Sequence, residues 1–219
     1  MNAMWVWPFL FLLGAYHGLN PAMGWLFAVA LGLQEKTGRA VINSLLPLGL
    51  GHLISVALVV GVAQAARFRL PSGNVRILAA TVLIAFGVYR FVRRNRHPRW
   101  VGMRVGSRDL ALWSFLMASA HGAGLMLLPF VLTYPQPPTP ARHVHPMMLA
   151  SAMQTPSSAT TQWWFPVGLH TLGYLLATAL LALVVYHQLG VAFLRRAWFN
   201  LDLLWVGALL AMGILTLAI

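Results

Sequence analysis

The chain has 219 residues, of which only 8% are charged, against about 25% in an ordinary soluble globular protein. Hydrophobic residues make up 59% and the mean hydropathy is +0.74, so too little polar surface remains to cover a water-soluble fold. The net charge of +12 does not indicate nucleic-acid binding, because the basic residues lie between long uncharged stretches and form no basic face. Composition favours a polytopic membrane protein, and the absence of cysteine excludes disulfides and thiolate metal sites.

Six apolar windows are candidates to cross about 30 Å of hydrocarbon. In chain order they cover residues 5–33, 40–66, 77–89, 110–132, 164–187 and 199–219. The third window reaches full length when Arg76 and Arg90 extend to the headgroups at its two ends. We therefore predict an all-α integral membrane protein with six transmembrane helices, which form one membrane domain over residues 1–219.

Basic residues orient this chain, because short cytoplasmic loops collect Lys and Arg. The connections after the first, third and fifth windows hold 11 of the 15 basic residues, and the other two connections hold four. We expect both termini to face outward across a bacterial inner membrane, with no secretory signal before the first window. The long connection 133–162 is then extracytoplasmic, and its soft donors either collect a metal ion or are simply solvated. These donors are His143, His145, Met147 and Met148.

Two pairs of windows resemble each other. The first and fourth windows each carry a small residue two positions before a His-Gly pair, at His17 and His121. The second and fifth each place a histidine shortly after a proline and a glycine, at His52 and His170. A repeat of three spans must be inserted upside down in its second copy, so the pattern predicts an inverted repeat. The predicted halves are residues 5–92 and 109–219.

The first window is too long for one straight crossing, since about 30 residues make roughly 45 Å of helix. Pro21 cannot donate to the carbonyl of His17, and its ring disfavours helical geometry at Asn20. We predict a broken helix whose second half begins at Pro21 with Asn20 as its cap. Unpaired backbone in hydrocarbon needs protein or a wet cavity, so we expect a cavity beside Asn20. A proline kink packed against a neighbour is the alternative.

Histidine is the main polar residue left inside the apolar windows, because the three acidic residues lie near the span boundaries. Polar side chains this deep are costly and usually mark a substrate, ion or proton path. The predicted substrate or ion site contains His17, Asn20, His52, His121 and His170. Three methionines near His17 and His121 in the sequence are added as predicted metal ligands: Met23, Met117 and Met126. We predict no catalytic residue, because no phosphate loop, nucleophile elbow or carboxylate pair is present.

Residues 17–23 resemble a motif of the nickel/cobalt transporter family, within the lysine-exporter superfamily of small permeases. The resemblance implies a metal-entry histidine at His17 and an acidic residue three positions later, where this chain has Asn20. The Asp-His pair of that family is replaced here by Ala22 and Met23. The resemblance also implies a three-plus-three inverted layout, and the His/Met/Asn set suits a softer ion or no metal.

The leading hypothesis is therefore a permease or exporter for a metal cation or small solute, with alternating access around a His/Asn site. The cofactor is left open, a transition-metal ion being the first candidate. A membrane redox subunit that holds haem between paired histidines is the second hypothesis. An accessory subunit of a larger membrane complex is the third, and partner subunits or a homo-oligomer stay open. The expected partners are the bilayer and the transported species, not nucleic acid.

Overall fold

The computed structural model describes residues 3–67, 69–93, 106–133, 163–189 and 201–218, and every regular element in these ranges is helical. The first half has α1 (Ala3–Leu19), a 3-10 turn (Pro21–Met23), α2 (Trp25–Glu35), α3 (Gly38–Arg67) and α4 (Ser72–Arg93). The second half has α5 (Ser107–Ala120), a second 3-10 turn (Leu125–Leu127), α6 (Leu128–Thr133), α7 (Trp164–Val184), its π-helical extension (Val185–Leu189) and α8 (Leu201–Ala218).

Three of the described helices, α3, α4 and α7, are long and apolar enough to cross a membrane by themselves. The bent pair α5–α6 adds a fourth crossing if it counts as one span. Shorter apolar helices occupy the first and sixth predicted windows. Large apolar side chains such as Leu46, Val92 and Leu180 are exposed on these helices, as expected for surfaces that contact lipid. The chain is thus an all-helical protein compatible with a membrane, and six crossings stay a prediction.

The helices pack in pairs that join the two halves of the chain: α1 lies along α7, α3 along α5, and α4 along α8. Glycines make the closest approaches. Gly14 and Gly18 of α1 face the carbonyl oxygens of His170 and Tyr174, and Gly51 of α3 faces that of Ala111. Small residues let helix backbones approach this closely in apolar surroundings. A further contact, between α3 and α7, joins the first two pairs at the centre.

The predicted break in the first helix is present between α1 and α2. Asn20 leaves the helix with an extended ψ of 122°, and its N–H donates to the carbonyl of His17 at 3.2 Å. Its Oδ1 accepts from the N–H of Ala22 at 3.0 Å, so the predicted cap is correct. The predicted helix start at Pro21 is wrong, because a single 3-10 turn follows the cap and α2 begins at Trp25.

The carbonyl oxygens around this break accept hydrogen bonds from protein side chains. Such donors and the wet cavity expected beside Asn20 are the two ways to satisfy unpaired backbone in hydrocarbon. Three donors come from three different helices. They are the indole of Trp25 on Leu19 (3.2 Å), the indole of Trp113 on Ala22 (2.9 Å) and the hydroxyl of Tyr174 on Met23 (2.7 Å). The break is therefore held by α2, α5 and α7.

A second break, which was not predicted, separates α5 from α6 by a bend of 51°. It begins at His121, whose N–H still closes the last turn of α5 on the carbonyl of Met117. Gly122 follows with φ at 71°, a conformation that favours glycine. The His-Gly pair common to the first and fourth windows therefore lies at a helix break in both halves.

Candidate functional site

Three of the four predicted histidines meet at the centre of the helix packing. His17 comes from α1, His52 from α3 and His170 from α7, and all three are fully buried. Their ring centroids lie 5.0 Å apart for His17 and His170, 5.4 Å for His52 and His170, and 5.8 Å for His17 and His52. Residues more than 150 positions apart in the chain thus form one cluster of imidazoles, called here the histidine cluster.

Hydrogen bonding differs among the three rings of the histidine cluster. Nδ1 of His17 lies 2.9 Å from the carbonyl oxygen of Leu13, which only accepts, so Nδ1 carries the proton and Nε2 a lone pair. A backbone group of Leu10 lies near the ring of His170, but outside strict hydrogen-bond geometry. Both ring nitrogens of His52 and both of His170 lack a hydrogen-bond partner among the groups in the described ranges.

Such unsatisfied rings are unusual in a protein interior. A buried donor or acceptor without a partner costs about 1–3 kcal/mol, and the large majority of buried polar atoms are satisfied. His52 and His170 each present a donor and an acceptor under these conditions. The histidine cluster is therefore the part of the described interior best suited to receive a ligand.

Tyr174 extends the histidine cluster and was not predicted as a site residue. Its ring stacks on that of His52 with centroids 4.0 Å apart and 8° between the planes. Tyr174 is fully buried, and its hydroxyl lies between the carbonyl of Met23 and the hydroxyl of Ser114. The sequence contains a signal for it, because Tyr174 follows His170 by four residues and so shares its helix face.

His121 has partners of its own at the second break. Its Nδ1 lies 2.8 Å from the carbonyl oxygen of Met117, and its Nε2 lies 3.4 Å from Nη2 of Arg90. A guanidinium only donates, so Nε2 must carry the lone pair and the ring is neutral. Both ring nitrogens are thus engaged, and the predicted role of His121 as a ligand would require Arg90 to move away.

The other predicted site residues have structural contacts. Asn20 is buried, and its side-chain oxygen caps the 3-10 turn. Met23 and Met126 are fully buried in the largest apolar cluster, and Met117 packs against that cluster. These methionines fill the core around the breaks, and their role as metal ligands stays a prediction. His143, His145, Met147 and Met148 lie outside the described residues.

None of the acidic side chains with a described position lies in the histidine cluster. Two acidic side chains have described positions, Glu35 and Asp109, and both are exposed at helix ends. Asp109 accepts from the N–H of Gly106 at 2.9 Å and so caps α5. Across the described ranges, no group of three or more His, Cys, Asp or Glu side chains is arranged to hold a metal ion. The histidine cluster has the residue type that a transition-metal ion prefers, but in this conformation it does not form such a group.

Comparisons with protein-family models, with curated proteins and with solved structures find no match for this chain. The resemblance of residues 17–23 to nickel/cobalt transporters therefore stays a prediction, and what the site does must be argued from its own residues.

Proposed function

We propose that the chain is a membrane permease that moves a metal cation or a small solute through a site made by the histidine cluster. One observation carries the proposal: three imidazoles from three helices meet in a fully buried position, and two of them lack hydrogen-bond partners among the described groups. Polar groups at such depth are costly and usually line a transport path. Neutral imidazoles without carboxylates suit transition-metal ions better than Mg²⁺ or Ca²⁺.

The spacing of the rings supports a single shared ion. With metal–nitrogen bonds of about 2 Å, three imidazoles on one tetrahedral ion have ring centroids about 5 Å apart. The observed distances of 5.0 to 5.8 Å are close to this value. Among the described residues these rings are not arranged to hold an ion, so binding requires that they turn about their side-chain bonds. We propose that the ion binds by turning these rings toward a common point.

Helix directions support six alternating crossings. Contacts of Gly14 with His170 and of Gly18 with Tyr174 make α1 and α7 run in the same direction. Contacts of Gly51 with Ala111 and of Ser55 with Ser119 do the same for α3 and α5. Contacts of Gly87 with Leu210 and of Gly213 with Ile84 make α4 and α8 antiparallel. In a chain that crosses the membrane six times, the first and fifth spans run in the same direction, and so do the second and fourth. The third and sixth spans run in opposite directions.

The same pairing supports an inverted repeat. In such a repeat α1 corresponds to α5, α3 to α7, and α4 to α8. If corresponding helices are exchanged, the α1–α7 pair becomes the α5–α3 pair, and the α3–α7 and α4–α8 pairs stay the same. Both halves also begin with a helix that breaks at or directly after a His-Gly pair. We propose that the halves rock about the histidine cluster and open it to each side in turn. Both termini then face outward from a bacterial inner membrane, as the basic residues indicate.

The haem alternative is not favoured by the packing. Two axial histidines must face each other across a porphyrin, with the iron between them. Here the rings of His17, His52 and His170 are in mutual contact, and Tyr174 covers the face of His52. The backbones of α1 and α7 also touch beside these rings, at Gly14 and Gly173. These contacts leave no gap for a porphyrin between the described histidines. An accessory role in a larger complex stays the second candidate.

Transport by the purified protein tests the proposal. We would reconstitute the full chain into liposomes that enclose a fluorescent chelator, and add Zn²⁺, Ni²⁺, Co²⁺ or Mn²⁺ outside. The wild-type protein should raise the rate of entry of at least one ion above that of protein-free liposomes. His52→Ala should return that rate to the protein-free value, because it removes one of three ligands from the cluster.

The matched control is His187→Ala, since His187 is exposed beyond the end of α7. It should transport at the wild-type rate. Entry that equals the protein-free rate for all four ions would contradict the metal permease, and a labelled panel of small solutes would then test the other half of the proposal. Equal rates for His52→Ala and wild type would contradict the assigned site.

A further inference from the structure

Tyr174 lies where the histidine cluster meets the break in the first helix. Its ring is stacked on His52, and its hydroxyl donates to the carbonyl oxygen of Met23 at 2.7 Å. Met23 is the last residue of the 3-10 turn that separates α1 from α2. One buried side chain thus contacts a ring of the cluster at one end and the backbone of the break at the other.

The hydroxyl of Tyr174 also reaches α5 and α3 through Ser114. Oγ of Ser114 lies 3.4 Å from the Tyr174 hydroxyl and donates to the carbonyl oxygen of Leu48 at 2.7 Å. Leu48 precedes His52 by four residues in α3. The neighbouring residue of α5, Trp113, donates its indole N–H to the carbonyl of Ala22 in the same 3-10 turn. Tyr174 therefore holds the break against α7, Trp113 holds it against α5, and Ser114 joins α5 to α3, which carries His52.

The stacked geometry makes the position of Tyr174 dependent on the orientation of His52. Rings 4.0 Å apart and within 8° of parallel leave no room for one to turn about an axis in its plane while the other stays fixed. Neither ring is exposed, so no solvent-filled space is available to take up such a rotation. A ligand that turns His52 must therefore also displace Tyr174.

We infer that Tyr174 is a positioning residue that couples the occupancy of the histidine cluster to the geometry of the first-helix break. This inference rests on the proposed function. When a ligand turns His52, Tyr174 moves with it, and its hydroxyl leaves the carbonyl of Met23. The 3-10 turn then loses one of the three side-chain donors that hold the carbonyl oxygens around the break, and α2 becomes free to shift against α7. Substrate binding thereby loosens the helix pair that must move in alternating access.

Indole N–H signals provide the readout, because Trp25 and Trp113 donate directly to the break. The full chain would be labelled with ¹⁵N-tryptophan in detergent micelles, which gives nine indole signals. Trp25→Phe and Trp113→Phe assign the two that matter. The test variant is Tyr174→Phe, which keeps the stacked ring and removes only the hydroxyl. Tyr186→Phe, at the far end of the same helix, is the matched control, and Zn²⁺ is the probe.

Without zinc, the Trp113 indole signal of Tyr174→Phe should shift and exchange with solvent about two- to tenfold faster, the factor for one lost hydrogen bond. Tyr186→Phe should have no such effect. With zinc, the wild-type Trp25 and Trp113 signals should shift. Tyr174→Phe should bind zinc about two- to tenfold more tightly than the wild type, because the bond that zinc must break is already absent, and its two indole signals should not respond.

An unchanged Trp113 signal in Tyr174→Phe would overturn the inference. So would a zinc response in Tyr174→Phe equal to that of the wild type, because the hydroxyl would then carry no coupling. Failure of the wild type to bind zinc would overturn zinc as the ligand of the histidine cluster and the coupling to zinc together. In that case the zinc-free comparison would still decide whether Tyr174 holds the break.

Discussion

Gly14 of α1 lies directly against the carbonyl oxygen of His170 in α7, so close that a Cβ atom at residue 14 would overlap that oxygen. Gly173, on the facing helix, makes the reciprocal approach to the carbonyl of Phe11. The two helices that carry His17 and His170 are therefore in backbone contact, and this contact sets the distance between the two rings.

Gly14→Ala should destabilise the protein, because neither backbone can yield to the added methyl group without separating α1 from α7. The expected loss is about 1–3 kcal/mol in the free energy of unfolding, the usual cost of overpacking. Denaturation in detergent measures it. Gly168→Ala is the control on α7, since no atom lies within 4 Å of the added Cβ. It should keep or slightly raise stability, and equal effects of the two substitutions would contradict the close contact.

A double-mutant cycle should detect the hydrogen bond that joins α3 to α5. The hydroxyls of Ser55 and Ser119 lie 2.8 Å apart. Ser55→Ala and Ser119→Ala should each lower the free energy of unfolding, and the double variant should lower it by less than their sum. The expected coupling is about 0.6 kcal/mol, typical of such bonds between membrane helices. Strict additivity would mean that the two hydroxyls do not interact.

His121 should behave as a structural residue and not as a ligand. His121→Ala removes the donor to the Met117 carbonyl and the acceptor for Arg90, so it should cost about 1–3 kcal/mol of stability. Its zinc affinity should stay within about threefold of wild type, whereas His52→Ala should lose more than about tenfold. Isothermal titration of the purified variants measures both. A tenfold loss in His121→Ala would return His121 to the predicted ligand set.

The proposed six crossings give a definite membrane topology. Reporter fusions at the C-terminus and within residues 133–162 should be active with an enzyme that works only outside the inner membrane. Fusions within residues 94–105 should instead be active with a fluorescent protein that folds only inside. A cytoplasmic signal from either of the first two positions would contradict the topology that we derive from 11 of 15 basic residues on one side.

Much of the helical layout could be predicted, because hydrophobic length and proline position act locally. Pro21 cannot donate to the carbonyl of His17, and this fact alone places the first break. The second break could not be placed in the same way, since the nearest proline, Pro129, lies inside α6 and not at the break. It depends on the positive φ of Gly122 and on the packing of that residue against Leu209 and Phe86.

The site could be predicted only in part. Depth in the membrane selected His17, His52 and His170, and the structure brings these three together. Depth in the membrane also selected His121. The sequence does not show which face of α4 packs inward, and it is this packing that brings Arg90 to His121. The spacing of Tyr174 from His170 places both on one helix face, but the contacts of Tyr174 with α3 and with the broken helix arise only from tertiary packing.

The central claim is that His17, His52 and His170 form one binding site. Zinc titration of the full chain labelled with ¹⁵N-histidine tests it most directly, with the eight histidine signals assigned by single substitution. We predict one zinc ion per chain and a joint shift of the ring-nitrogen signals of His17, His52 and His170, with that of His121 unchanged. Zinc binding that shifts only His143 and His145, or no zinc binding at all, would contradict the claim.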